Sequence, residues 1–250
     1  MSAKKAADAN KPADASSDIV SLANEEGVQQ VLAQSILSLW DLVNNLTRLR
    51  PSRRERYRVT IFGSARVPEN HWVYGAVRDL AAELTRMDCD IITGGGPGLM
   101  QAANEGAKRA DPAHTQRSVG IRVELPFEQE VNSFVTQAFE HSTFFTRLHQ
   151  FVLMSDAFVV VPGGIGTVLE TMMVWQLLQV RKIHNTPLIL AGKMYADLVA
   201  WCRTYMLRPE FPLASPPDMD IPVCVDDGPS IVRILREDHA KWLKAQAPKK

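Results

Sequence analysis

From residue 57 onward, short apolar runs alternate with longer stretches in which apolar residues recur every three or four positions. Short runs bounded by Gly, Pro or Asp predict buried strands, and the three-to-four spacing predicts helices with one buried face. Strands are expected at 58–62, 90–93, 118–123, 134–139, 157–161, 187–191 and 221–225. Helical patterns occupy 72–87, 99–110, 143–154, 167–181, 195–206 and 229–243. Strands separated by helices require right-handed crossovers and therefore a largely parallel sheet. The expected fold is α/β: a Rossmann-like, doubly wound, mostly parallel sheet with helices on both faces. The interval 124–133 has no helical pattern, so one of its flanking strands is expected at an edge. The five prolines of 208–222 predict an irregular loop.

A different pattern precedes residue 57. Val28, Val31, Leu32, Ile36, Leu39, Trp40, Val43 and Leu46 keep helical spacing and predict an amphipathic helix that packs on the domain or on a partner subunit. Residues 1–24, rich in Ala, Lys, Asp, Asn and Ser, are expected to form a disordered tail. Arg48, Arg50, Arg53, Arg54, Arg56 and Arg58 cluster around Pro51. Either a phosphate or nucleic-acid patch or a solvated linker would use them, and the linker is the preferred reading. The organisation expected is a tail (1–24), a helix with a basic connector (25–56) and a nucleotide-binding catalytic domain (57–250).

Composition narrows the classes. The 250 residues carry 28 basic and 28 acidic side chains, so no global charge draws the chain to nucleic acid or to an anionic membrane. Cys89, Cys202 and Cys224 are too scattered for a disulfide framework or a zinc site, which suits a reducing cytoplasm. No apolar run approaches the ~20 residues of a membrane span, and the N-terminus lacks the apolar core of a secretory signal.

Three predicted strands end in glycine turns: Phe62-Gly63-Ser64-Ala65-Arg66, Thr93-Gly94-Gly95-Gly96-Pro97-Gly98-Leu99-Met100, and Pro162-Gly163-Gly164-Ile165-Gly166-Thr167-Val168-Leu169-Glu170. Glycine lets backbone approach an anion, and a helix N-terminus offers free N–H groups and a positive dipole end. A single such turn is unremarkable. Three in one doubly wound sheet predict a nucleotide-sized ligand across the sheet's end. No GxxxxGK[ST] occurs, and the second turn fails GxGxxG because position 99 is Leu, which weakens kinase, ATPase and ordinary dehydrogenase readings. The six histidines show no metal-ligand spacing, and no GxSxG elbow is present.

The stretches TGGGPGLMQAANEGA and PGGIGTVLE resemble the Lonely Guy family of nucleoside 5′-monophosphate phosphoribohydrolases, whose members are often labelled lysine decarboxylases. The resemblance runs over roughly 57–206. Leu125-Pro126-Phe127-Glu128-Gln129-Glu130-Val131-Asn132 is also similar to a segment of the family's longer bacterial branch. The resemblance implies cleavage of the N-glycosidic bond of an AMP-like or cytokinin nucleotide, without cofactor or metal, by a homodimer or higher oligomer. It assigns catalysis to Arg147 and Glu170. It places substrate binding at Gly94, Gly95, Gly96, Gly98, Leu99, Met100, Pro162, Gly163, Gly164, Ile165, Gly166 and Thr167, with Glu128 and Asn132 at the base, and the reading of three turns around one ligand adds Gly63 and Ser64. Two positions depart from the family pattern: Leu148 replaces a lysine and Leu169 an acid. A non-catalytic carrier of nucleotide or molybdenum cofactor is the alternative. A decarboxylase would need a pyridoxal phosphate lysine, and none lies beside the two long glycine turns.

Each assignment has a plainer rival. Thr167 and Glu170 have the spacing of a helix capping box. Arg147, at the edge of its helix's apolar stripe, could be a surface arginine lying along that stripe. Met172, Met173, Trp175, Leu177 and Leu178 could serve the core alone, although a dimer interface is preferred. Glu128 and Asn132 could be ordinary loop polar groups.

Overall fold

The computed structural model describes residues 23–46, 55–111, 113, 117–124 and 131–246. Most of the proposed tail, Arg48 to Arg54 of the basic cluster, and Glu128 lie outside these residues. The chain divides into two units, residues 1–50 and 51–250. In the first, α1 (Glu25–Leu46) is a helix whose first turn carries Glu25 and Glu26, favourably placed at the positive end of the helix dipole. Val31, Leu32, Ile36 and Leu37 are exposed on it.

The second unit is built on seven parallel strands: β1 (Tyr57–Phe62), β2 (Cys89–Thr93), β3 (Ser118–Val123), β4 (Gln137–His141), β5 (Ala157–Val160), β6 (Leu188–Ala191) and β7 (Pro222–Val225). Their spatial order is β4-β3-β2-β1-β5-β6-β7, and all six pairings are parallel. The sheet therefore grows outward from β1 in one direction and from β5 in the other. The doubly wound, Rossmann-like α/β fold is as expected. Because β1 pairs with both β2 and β5, the order reverses there, and the crevice beyond these strand ends is where such sheets take ligands.

Side-chain alternation divides the core between the two faces. Val59, Ile61, Ile91 and Val159 face a layer that includes α2 (Trp72–Arg86), α3 (Leu99–Ala110) and α7 (Gly228–Gln246). Phe62, Ile92, Phe158 and Val160 face α4 (Phe144–Met154), α5 (Ile165–Gln179) and α6 (Lys193–Met206). Fully burying each of these large side chains is worth about 1.5–3 kcal/mol, which explains strands apolar on both faces.

Three boundaries differ from expectation for physical reasons. The strand placed at 134–139 begins at Gln137, because the backbone N–H of Val135 turns back to the Asn132 carbonyl and the preceding segment is tied to the second glycine turn. It is an edge strand, with two of its five residues exposed and none fully buried. The helix predicted at 167–181 starts at Ile165. The loop 208–222 contains a 3₁₀ turn, Pro216–Asp220, started by a capping box between Ser215 and Asp218.

Candidate active site

The three glycine turns meet at the C-terminal ends of β1, β2 and β5. The first turn is stitched to both others: the Ser64 N–H donates to the Pro162 carbonyl at 3.1 Å, and the Leu99 N–H donates to the Ser64 carbonyl at 2.8 Å. Gly98 has φ 67°, and an added Cβ would collide with the backbone of Ser64 and Ala65. Glycine is required there by backbone shape and by close approach of two turns. Gly63 is required by packing, since a Cβ would lie 2.6 Å from Val161 Cγ2 and 2.9 Å from Leu99 Cβ.

Between the turns lies a cleft of about 440 Å³. Gly63, Ser64, Ala65 and Arg66 line it from the first turn, Met100 from the second, and Gly164, Ile165, Gly166 and Thr167 from the third, together with Arg147 and Glu170. The structure thus brings together, from four separate stretches, the two residues expected to be catalytic and seven expected to bind substrate. Gly94, Gly95, Gly96, Gly98, Leu99, Pro162 and Gly163 are not among the residues that line it. Asn132 is also outside it: its side-chain amide donates to the carbonyls of Gly95 and Gly96, each at 3.0 Å, and to Asn104 Oδ1 at 3.1 Å. Thr93 Oγ1 donates to Asn104 Oδ1 at 2.7 Å and accepts the Gly95 N–H at 2.9 Å.

Glu170 sits in the second turn of α5, 8 % exposed. Arg147 comes from α4, where Thr143 caps the helix by accepting the Thr146 N–H at 3.2 Å. Arg147 Nη1 donates to Glu170 Oε1 at 2.8 Å, and its Nε donates to the Ile121 carbonyl within β3 at 2.9 Å. The guanidinium also lies over the Phe151 ring, 5.1 Å from its centroid. Arg147 is therefore a fixed, largely buried cation rather than a surface arginine. The capping-box rival for Glu170 does not form: the N-cap is Gly164, without a side-chain cap bond, and the carboxylate is bonded to Arg147.

Burial pushes the Glu170 carboxyl up from the ordinary carboxylate range, opposed by the charge and hydrogen bond of Arg147. Tyr195 of α6 is fully buried and donates to the Val161 carbonyl at 3.0 Å, fixing the chain as it enters the third turn. Burial, then the nearby Glu170 charge, raises its phenol. Sequence reasoning placed Tyr195 only at the start of a helix and did not find the Asn132–Asn104–Thr93 network. Asparagines carry no periodic signal, and their partners are far away in the chain. Among the described residues, no group of His, Cys, Asp or Glu side chains could hold a metal ion.

A parallel sheet of this order, with its cleft at the reversal point and a paired arginine and carboxylate beside a helix N-terminus, defines a Rossmann-like α/β protein with a candidate nucleotide site. A family model described as "Possible lysine decarboxylase" matches residues 100–235, more than half the chain. The chain belongs to this family, the Lonely Guy or lysine decarboxylase-like family. It is 28% identical over 143 residues to the pyrimidine/purine nucleotide 5′-monophosphate nucleosidase of Escherichia coli K12, a match covering 54% of this chain and 30% of the relative. The chain thus spans less than a third of the length of the curated relatives it matches. Among solved structures, the molybdenum cofactor carrier protein of Chlamydomonas reinhardtii superposes with a TM-score of 0.56 at 18% identity, covering 74% of this chain and 99% of the carrier. The molybdenum cofactor binding protein of Rippkaea orientalis gives 0.56 at 16% identity, covering 74% and 98%. At these identities the likeness is one of fold.

Proposed function

We propose that the protein hydrolyses the N-glycosidic bond of a nucleoside 5′-monophosphate, releasing the base and ribose 5-phosphate. The observation that carries this reading is the buried Glu170 carboxylate, held by Arg147 in the same cleft as the uncapped N-terminus of α5. The free N–H groups at that helix end suit the 5′-phosphate. Departure of the base leaves an oxocarbenium-like ribose, which a carboxylate stabilises while it orients or deprotonates the attacking water. Glu170 takes this role. Arg147 favours the ionised form of Glu170 against the effect of burial and presents positive charge to the departing base or to the phosphate.

Several observations support the reading. The nucleosidase relative is named for this substrate class. The two departures from the family pattern leave the pair intact: Leu148 is buried in the helix packing, and Leu169 is half exposed beside the cleft. Among the described residues no lysine lines the cleft, so decarboxylation through a pyridoxal lysine lacks its anchor.

The working form is a homodimer or higher oligomer. On α5, Val174 and Trp175 are buried, yet Ile165 and Leu169 are 89% and 50% exposed, and Met172 and Met173 are only partly covered. An apolar strip at this spacing beside a cleft suits burial against a second copy. No helix among the described residues is long and apolar enough to cross a membrane.

The test is a panel of purine, pyrimidine and cytokinin nucleoside monophosphates incubated with the purified protein, with released base and ribose 5-phosphate measured. Release of both in equal amounts is expected. Tight nucleotide binding with no base released from any member would replace this reading with that of a carrier.

A further inference from the structure

The cleft contains a second arginine that the pair of Arg147 and Glu170 does not involve. Arg66 lines the cleft from the first glycine turn and is exposed. Its backbone is fixed, because the Arg66 N–H donates to Ser64 Oγ at 3.1 Å and Ser64 is bonded to both neighbouring turns. Its guanidinium has no acidic partner among the described residues.

The two arginines are therefore in opposite electrostatic situations. Arg147 is neutralised by Glu170 and held by the Ile121 carbonyl. Of the charged side chains lining the cleft, Arg66 and Arg147 are positive and Glu170 is negative, so Arg66 supplies the excess positive charge. It lines the same cleft as Gly164 and Gly166, at which an added Cβ would meet nothing within 4 Å. An arginine on a rigid turn, with its five donors uncommitted, is suited to a phosphate monoester, which it can grip through two parallel hydrogen bonds.

We infer that Arg66 is the residue that selects a 5′-phosphorylated ribose over its unphosphorylated counterpart, closing over the phosphate from the first turn while the α5 N-terminus holds it from the third. Arg66 is a specificity residue in this assignment and takes no part in breaking the glycosidic bond. The inference rests on the nucleotide reading of the cleft and adds to it the group that recognises the phosphate.

Calorimetric titration of the full-length protein with ribose 5-phosphate, inorganic phosphate and ribose, for the wild type, Arg66→Ala, Arg66→Lys and Glu170→Gln, tests it. The wild type is expected to bind ribose 5-phosphate better than ribose. Arg66→Ala should weaken ribose 5-phosphate binding by about tenfold or more, the scale of one charge-assisted bidentate contact. Arg66→Lys should recover only part of the loss, since an ammonium lacks the planar fork. Glu170→Gln, which leaves Arg147 without its counter-charge in the same cleft, should not weaken ribose 5-phosphate binding. The inorganic phosphate arm separates recognition of the phosphate alone from recognition of the sugar phosphate. In turnover, the ratio of kcat/KM for nucleoside monophosphate over nucleoside should fall in Arg66→Ala by a similar factor. If the wild type and Arg66→Ala bind ribose 5-phosphate equally, the assignment of Arg66 is overturned and the nucleotide reading stands. If the wild type does not bind ribose 5-phosphate at all, both fall together.

Discussion

The second and third glycine turns look alike in sequence, GGGPG and PGGIG, yet their glycines are there for opposite reasons. In the second turn the glycines are crowded by protein. Gly98 is set by positive φ and by the backbone of the first turn, while a Cβ on Gly94 would lie 2.5 Å from Arg147 Nη2 and 2.6 Å from Met100 Sδ. In the third turn only Gly163 is crowded, by Thr167 beneath it. Gly164 has φ −90° and ψ −159°, which any residue can adopt, and both Gly164 and Gly166 face open space. Neither backbone geometry nor protein packing requires glycine at these two positions. Space kept clear of protein atoms at a helix N-terminus is space suited to a ligand. The second turn is thus packed against Met100 and Arg147, and the third is the turn proposed here to face the substrate.

The largest effect that would test this division falls on the third turn's helix. Glu170→Gln keeps the size of the side chain and a hydrogen-bond acceptor for Arg147, but loses the charge. Turnover of nucleoside monophosphate should drop by about 10²–10³-fold, the usual cost of removing a well-placed electrostatic group. Circular dichroism and the thermal midpoint should show the fold intact. Wild-type turnover in this variant would remove Glu170 from the chemistry and leave the ion pair as a structural feature.

The next effect belongs to the second turn. Asn132→Ala removes the donors that satisfy the carbonyls of Gly95 and Gly96. It should lower unfolding free energy by about 1–3 kcal/mol, the range for leaving buried polar groups unpaired. Denaturant titration measures this directly. A midpoint equal to wild type would mean that the second turn keeps its shape without the asparagine.

The pattern of apolar positions was enough to read the layers and strand alternation, because a strand buried on both faces and a helix buried on one leave periodic traces. The chemistry was legible where glycines and charged residues cluster within a few positions, as in Pro162–Glu170. It was not legible where it depends on distance. Arg147 and Glu170 are 23 residues apart, and nothing in their spacing says that they touch; the resemblance to a family placed them in one site. Asn132, expected either at the base or as an ordinary loop polar group, bonds the second turn, a partnership across 36 and 37 residues that no local pattern announces. The glycines of the second and third turns drew the same assignment, because sequence does not distinguish a glycine crowded by protein atoms from one that faces open space.

The acidity of Glu170 gives a smaller but distinctive signature. Burial raises its carboxyl above the ordinary range, and Arg147 opposes that rise. The proposed role needs the ionised form, so kcat/KM should fall as pH is lowered through this raised value, by about tenfold for each unit below it. Arg147→Gln removes the opposing charge and should move this acid limb to higher pH as well as lowering the plateau. An acid limb in the range of an unperturbed carboxylate, unmoved by Arg147→Gln, would assign the titration to another group, such as the substrate phosphate.

The smallest expected effect separates the two kinds of glycine most cleanly. Gly166 lies in the first turn of α5, where alanine is the better helix former by about 0.5–1 kcal/mol. A Cβ there meets no protein atom, so Gly166→Ala should stabilise the protein slightly, raising Tm by about 2–4 °C per kcal/mol for a chain of this size. The same Cβ would project toward the seat proposed for the phosphate, so KM for nucleoside monophosphate should rise while Tm rises with it. Gly98→Ala is the matched control: its positive φ and the adjacent backbone should make it lose stability by more than Gly166→Ala gains. A Gly166→Ala protein that is more stable and binds nucleotide as well as wild type would show that the open space at the third turn is not where the phosphate sits. A rise in stability together with a loss of affinity would mean that this glycine is retained, against the helix's own preference, for the ligand.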